Sequence, residues 1–521
     1  MASAEASRTG ARVPLHLRPN YKWAVVAMLW FMCFFNYADR QAVFSMFPLL
    51  EKEMRLTPVM LGWIGSSFAL VYGLFAPFAG NVGDRFRRKG VILWGLWLWS
   101  VICAFTALSR RFGHLIFFRA AEGLGETFYF PATTSLISDY HGKRTRSRAL
   151  GLHNTGVYAG TIAGGFFAGL ISQHYGWRPA FVVFGTLGVL LGLVLMKYIV
   201  EPKRGMAERA ELAATKPDPP AAVGEGPGDP AAQGGGGGLF AVIGAMLAYA
   251  AIVGTGIYAG YSIAQLAGFT ATWASLPAGA VLGALPGIAI GLYVALYITH
   301  GKHGVDFLRW ILGTPSVLVL MLVFMGANFV ALVPLTWLPK FVFDKFHFTN
   351  LAFAALGATF PIQMATMVGA PVGGFFADLL RRRTPGGRMI VQAGALILGA
   401  PFVFLAGSTP GFGVFIAAIA CWGLLKGMYD ANIFASVFDV VPPQFRGTAA
   451  GFMNMAGWLG GFPGPIVIGF IAQKSSLSQA IESASMIYVA AGVVMILGVL
   501  AFAKRDAARM EDYLRTAPSQ A

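Results

Sequence analysis

Apolar segments of about twenty residues recur along the whole chain, and they restrict what can surround it. One set runs at 23–48, 60–82, 91–109, 113–138, 149–172 and 178–200. A second runs at 314–338, 350–378, 389–407, 411–438, 447–472 and 483–503. Each is long enough for a helix of roughly 20 residues to cross a bilayer. Only 12% of residues are charged and 56% are hydrophobic, whereas a soluble domain carries about 25% charged residues. A chain this apolar cannot bury its own surface, so lipid is its solvent. In lipid the backbone must satisfy its own hydrogen bonds, which selects helices. The expectation is an all-α membrane protein.

Between the two sets lie a Pro-, Ala- and Gly-rich linker at 201–238 and two further apolar runs at 239–261 and 273–299. The loop Ser262 to Trp273 between these runs holds no Lys or Arg. They read as an inserted transmembrane hairpin, giving about 14 spans in a 6+2+6 order. Gly254, Gly256, Gly260, Pro277 and Pro286 weaken helices, so a re-entrant or interfacial placement stays open. The expected division is a tail at 1–22, a six-helix bundle at 23–200, the linker, a hairpin at 239–299, a connector at 300–313, a second bundle at 314–503 and a tail at 504–521.

The formal charge of +16 raises the question of nucleic acid, but its distribution excludes that partner. The cations sit in alternate short loops: Arg85 to Lys89, Lys143 to Arg148, Lys203 and Arg204, Arg381 to Arg383, Lys504 to Arg509. Arg8, Arg12, Arg18 and Lys22 precede the first span. By the positive-inside rule both termini are cytoplasmic. Residues 1–20 hold no apolar stretch, so the first span directs insertion into the plasma (inner) membrane. Cys33, Cys103 and Cys421 fall inside apolar spans, which gives neither a disulfide framework nor a metal motif. No cofactor is expected.

The halves repeat each other. Gly80-Asn81-Val82-Gly83-Asp84-Arg85 closes one span, and Gly374-Phe375-Phe376-Ala377-Asp378-Leu379 closes another, each followed by clustered cations. Gly151, Asn154 and Gly160 correspond to Gly451, Asn454 and Gly460, 300 residues apart in each case. Two related bundles in one membrane chain imply a secondary transporter in which one half rocks against the other.

On these residues the chain resembles the major facilitator superfamily, except over 201–312. The resemblance implies a fold of two six-helix bundles with pseudo-two-fold symmetry. It also implies that Asp84 stabilises a closed state through a neighbouring helix end and its basic partners, with Asp378 as the symmetric match. Gly80, Arg85, Arg88, Gly374 and Arg382 complete the two gating loops. Leu379 replaces the cation at the Arg85 position, so the second network reads as the weaker. The N-terminal half resembles the Spinster family through Asn36-Tyr37-Ala38-Asp39-Arg40, Arg119 with Gly123-Leu124-Gly125-Glu126, Arg146-Ser147-Arg148 and Glu201-Pro202. The first of these is similar also to the signature of anion:cation symporters for sugar acids. The hairpin resembles, in architecture only, the two extra helices of proton-coupled peptide transporters.

Charge at membrane depth is costly, about 2.5–3.5 kcal/mol even on the lenient scale. Arg119, Glu122 and Glu126 share one helical face, and Asp39 lies at a matching depth. The expectation is a buried network of Asp39, Arg119 and Glu126 that couples transport to protons, with Arg40 and Glu122 nearby; the resemblance to Spinster proteins implies the same three residues. A permanent structural ion-pair network is the other reading. Substrate contacts are expected from Arg40, Tyr37, Glu122, His153, Asn154, Asn328, Gln363, Lys426 and Asp430. Lys426 and Asp430 also suit a simple i, i+4 pair.

The expected partners are protons, the bilayer and a small or amphipathic organic anion, such as a sugar acid or a lysolipid-like molecule, handled by a monomer. No His-Glu-x-x-His run, nucleophile elbow or phosphate-binding Gly-Lys-Ser/Thr loop occurs, so the chain does not read as an enzyme. A membrane sensor on a transporter scaffold is the alternative.

Overall fold

The computed structural model describes residues 20–142, 145–202, 206–207, 237–267, 272–273, 276–300, 302–442 and 445–516. The surroundings of Gly80 and Gly83 and the side chains of Asn81, Asp84 and Arg85 lie outside the description, as do the basic tail 1–19 and most of the linker. The expected role of Asp84 and Arg85 therefore falls on side chains outside the described set.

The first set of helices is α1 (Tyr21–Ser45), α2 (Phe47–Met54), α3 (Pro58–Arg85), α4 (Arg88–Thr106), α5 (Phe112–Thr127), α6 (Tyr129–Tyr140), α7 (Arg146–Tyr175) and α8 (Trp177–Tyr198). Local chemistry sets their starts. Thr57 caps α3 by accepting from the Met60 amide at 3.3 Å, with Pro58 at the first helical position. The insertion forms α9 (Gly237–Leu266), a two-residue β-pair (Thr272–Trp273 with Leu276–Pro277) and α10 (Ala278–His300). The first inserted helix thus runs further than expected and the second starts later. Gly256 and Gly283 pack backbone to backbone between them.

The connector at 300–313 holds a helix that the sequence reading did not anticipate, α11 (Lys302–Leu312). Phe307 and Ile311, four residues apart, are buried on one face of it. The Phe307 ring lies 5.1 Å from that of Phe452, and Trp310 Nε1 donates to the Val440 carbonyl at 3.1 Å.

The second set is α12 (Pro315–Lys345), α13 (Leu351–Arg381), α14 (Gly387–Ser408), α15 (Phe412–Asp430), α16 (Ile433–Phe438), α17 (Arg446–Gly461), α18 (Pro463–Lys474), α19 (Leu477–Gly498) and α20 (Lys504–Thr516). Asn350 caps α13 by accepting from the Ala352 and Phe353 amides at 2.8 and 3.3 Å. Among the described residues, eleven helical stretches are long and apolar enough to cross a membrane. The single stretches expected at 113–138 and 411–438 are each broken, between Thr127 and Tyr129 and between Asp430 and Ile433.

Close helix contact depends on missing side chains. A Cβ on Gly160 or Gly164 of α7 would collide with the Phe34 or Ala38 carbonyl of α1. Contact between the sets seals one end of the molecule. There Gln173 Nε2 donates to the Thr349 carbonyl and Gln173 Oε1 accepts from the Leu351 amide, both at 3.2 Å. Gly62 meets the Pro465 carbonyl and Gly469 the Pro58 carbonyl, which knits α3 to α18. Toward the end with the basic loops the sets part around a cavity of about 490 Å³.

Candidate functional site

Helix α5 carries Arg119, Glu122 and Glu126 on the face turned to α1, and all three are buried. Arg119 pairs with Glu122 one turn along, and Glu126 pairs with Arg40 of α1. Asp39 is also buried, and its Oδ1 has no hydrogen-bond partner. The five charges are gathered in one site, with pairs drawn differently from the expected grouping: Arg119 serves Glu122, and Arg40 serves Glu126.

Cys103 of α4 joins the site. Its Sγ and one oxygen each of Asp39 and Glu122 lie within 4.8 Å of one another. The sequence gives this cysteine no metal motif, and no linear spacing ties it to Asp39. These three atoms could approach a cation. The two neighbouring guanidiniums repel one, so the group suits a proton better.

Arg40 sits in an aromatic cage. Its Cζ lies 4.7 Å from the Tyr37 and Phe68 ring centres, 5.2 Å from Tyr72 and 5.6 Å from Trp458. Three rings belong to the first set of helices, and Trp458 comes from α17 in the second. Each cation–π contact contributes about 0.5–2 kcal/mol, with the upper value reached when dry. A void of about 60 Å³ between Arg40, Arg119, Thr161, Thr336 and Trp458 has room for about two waters.

The larger cavity begins on the other side of Tyr72. Asn154 lines it, as do Thr127, Thr134 and Asn454. His153 does not: it is fully buried, with Nε2 2.9 Å from the Tyr129 hydroxyl. Neither Asn328 nor Gln363 lines the cavity, and Gln363 is buried. Lys426 and Asp430 pair with each other on α15.

Of the expected gating residues, Arg88 and Asp378 take part in two charge networks at the basic end. Arg88, only 2% exposed, pairs with Asp139, and its Nε lies 3.0 Å from Glu201 Oε1. Glu201 also accepts from the Arg88 and Lys89 amides at 3.2 and 2.7 Å, capping α4. In the second set Arg388 bridges Asp378 at 2.8 Å and Asp439 at 3.0 Å, and Arg381 reaches Asp439 at 2.8 Å. Arg382 is exposed, and Arg388 is the partner of Asp378. Gly374 faces open space. Asp139 and Asp439 escaped the sequence reading, although the 300-residue offset joins them, as it joins Arg88 to Arg388.

Comparison with known proteins agrees with this architecture. Over 513 residues the chain is 24% identical to the probable galactarate/D-glucarate transporter GudP of Escherichia coli (strain K12), covering 95% of this chain and 96% of that protein. It is 29% identical to Protein spinster of Drosophila melanogaster over 189 residues, 36% of this chain and 31% of that one. A bacterial homolog of the human lysosomal transporter Spinster, solved in an inward-facing and occupied conformation, superposes with a TM-score of 0.66 at 16% identity, covering 94% and 98% of the two chains. The profile of the Major Facilitator Superfamily matches residues 29–465, so the chain belongs to that superfamily of multi-pass membrane transporters and is not an enzyme.

Proposed function

We propose that this protein is a proton-coupled secondary transporter that moves a small or amphipathic organic anion by alternating access. One observation carries the reading: the buried site holds three carboxylates, Asp39, Glu122 and Glu126, against two guanidiniums, Arg40 and Arg119. With every group ionised the site is one negative charge in excess, in a medium where an uncompensated charge is expensive. A single proton restores neutrality. Asp39 takes it, because Glu122 and Glu126 already have guanidinium partners. The uncharged neighbours, Tyr37 on α1, Tyr72 on α3 and Cys103 on α4, add no cation.

Arg40 links this site to movement, since Trp458 of the opposite set stacks over it. An arriving anion competes with Glu126 for Arg40 and so disturbs both the proton balance and the contact between the halves. The names of similar proteins support an anionic cargo: a galactarate/D-glucarate transporter in one case and a hexuronate transporter of Bacillus subtilis in another. A sugar acid and a lysolipid-like molecule are the two classes that the sequence resemblance favours.

In this reading the helices beyond the eleven, α1, the broken α5–α6 pair and α10, also cross the bilayer, giving fourteen spans with both termini cytoplasmic. The loop cations support an open end that faces the cytoplasm, which in this reading makes the chain an inward-open plasma-membrane protein that works as a monomer.

The test is uptake into proteoliposomes under an imposed proton gradient. Asp39→Asn should lower gradient-driven accumulation by about tenfold or more, the equivalent of one pH unit, while anion exchange at equal pH persists. If Asp39→Asn and Glu126→Gln both keep the wild-type pH dependence, the proton role is rejected.

A further inference from the structure

A groove of about 680 Å³ lies between the first set of helices and the inserted hairpin, and it shares no lining residue with the central cavity. Val91, Trp94 and Leu98 of α4 line one wall, and Val242, Ile243 and Met246 of α9 line the other. The hairpin touches the bundle further along, where the Tyr249 ring lies 6.2 and 5.4 Å from those of Phe75 and Phe78 of α3. Among the described residues lining the groove, none carries a hydroxyl, amide or carboxylate side chain. Water has little to bond to there. Trp94 is 72% exposed and Leu98 49%, so the groove opens sideways, toward lipid.

The one charge among these lining residues is Arg87, at the start of α4. It is exposed, and among the described residues its guanidinium has no carboxylate partner. Its neighbours are committed elsewhere: Arg88 pairs with Asp139 and Glu201, and Lys89 Nζ donates to the Met196 carbonyl at 2.8 Å. From Arg87 to Leu98 the groove follows α4 for about 16 Å, at 1.5 Å per residue. Half of a hydrocarbon core of about 30 Å is about 15 Å, the depth of one leaflet. An unspent cation at headgroup height, over an apolar slot one leaflet deep, has the dimensions and the charge of a seat for one phospholipid.

We infer that this groove binds one phospholipid with a net negative headgroup, its phosphate on Arg87 and an acyl chain between α4 and α9. The lipid is a structural ligand and not the cargo, since α3 and α5 turn other residues, Ala79 and Thr127 among them, to the central cavity. It completes the packing between the hairpin and the first set of helices. A free phosphate would gain the Arg87 contact alone and leave the apolar walls uncovered. A zwitterionic headgroup brings a cation of its own to the same rim and gains less. Gly90 keeps the groove open: a Cβ placed there would meet no atom within 4 Å. A larger side chain at that position would stand where the lipid lies without colliding with the protein.

The experiment is native mass spectrometry of the full-length chain in detergent, titrated in turn with phosphatidylglycerol, phosphatidylcholine and inorganic phosphate. One phosphatidylglycerol per chain should be retained about fivefold more tightly than phosphatidylcholine, the weight of one cation near a membrane surface. Arg87→Gln should abolish that preference. Gly90→Leu should weaken retention of both lipids about tenfold, while the lipid-free variant melts no lower than wild type, since Leu is the better helix former. Should Gly90→Leu melt early, Ile243→Trp on the facing wall is read in its place. Inorganic phosphate should not displace the lipid. The inference is overturned if the wild type shows no headgroup preference, if Arg87→Gln keeps it, or if a folded groove-filling variant retains lipid like wild type. Displacement by inorganic phosphate would leave an anion site with no acyl seat and overturn it as well. So would a lipid-free dimer that Gly90→Leu dissociates, which would make a second copy of the chain the occupant.

Discussion

Helices α5 and α15 occupy matching places in the repeat, yet only their packing agrees. Gly123 and Gly423, 300 residues apart, each lie against a carbonyl of the neighbouring helix, Phe68 in one case and Ile362 in the other. Both helices then break next to a tyrosine that is almost fully buried, Tyr129 just past one break and Tyr429 just before the other. Between these fixed points the chemistry diverges. Where α5 has Arg119, Glu122 and Glu126, α15 has Ile419, Trp422 and Lys426. The repeat preserves backbone contacts and leaves the side chains between them free to differ. One half can hold a dry charge cluster while the other supplies the surface that moves against it.

The strongest way to break this comparison is to remove a cation from one half only. Arg119→Leu leaves Glu122 buried without its partner and should cost about 3–5 kcal/mol, read as a large fall in melting temperature in detergent. Ile419→Leu at the matching position should cost less than about 1.5 kcal/mol. Equal losses would show that the charge cluster is no more demanding than ordinary packing.

A second contrast concerns protons. Asp430→Asn should leave the pH profile of uptake unchanged, whereas Asp39→Asn should flatten it. The Asp430 carboxylate is one-third exposed and already paired with Lys426, so it carries no excess charge into the site. A flattened profile in both variants would move proton coupling into both halves.

The shared packing predicts equality instead. Gly160→Leu would drive a side chain into the Phe34 carbonyl, and Gly460→Leu into Met325. Each should cost about 1–3 kcal/mol by overpacking. If only one variant unfolds early in a thermal melt, the two halves are not packed alike.

The smallest expected effect lies at the basic end. Burial pushes the Asp439 carboxyl above its ordinary value, with Arg388 and Arg381 pulling it back only in part. The folded protein then holds that proton more tightly than the unfolded chain does. The contribution of Asp439 to stability therefore falls as pH rises from the ordinary aspartate value through the folded one. Asp439→Asn should remove that slope, changing stability by no more than about 1 kcal/mol; melting curves across the acid range would detect it.

Much of this was legible in the linear chain because lipid imposes simple rules. Length and apolarity marked the helices. Arg119, Glu122 and Glu126 announced themselves by being charged where charge is expensive. Other features had no such signal. Cys103 looks like any small residue of an apolar helix until α4 packs beside α1 and α5. His153 looked available, yet its ring is turned inward to Tyr129. The partner of Asp378 proved to be Arg388, across a turn, and Arg382 next in the basic run stays exposed. Helix α11 was missed because its apolar face is only two turns long.

The sequence by itself determined the solvent, the helical form, the internal repeat and the identity of the buried charges, since each follows from composition and spacing along one strand of chain. Tertiary structure alone decided which carboxylate took which guanidinium, and that Trp458 closes over Arg40. Those are contacts between residues far apart in the chain, and their energies depend on distance and burial, which exist only after the helices have packed.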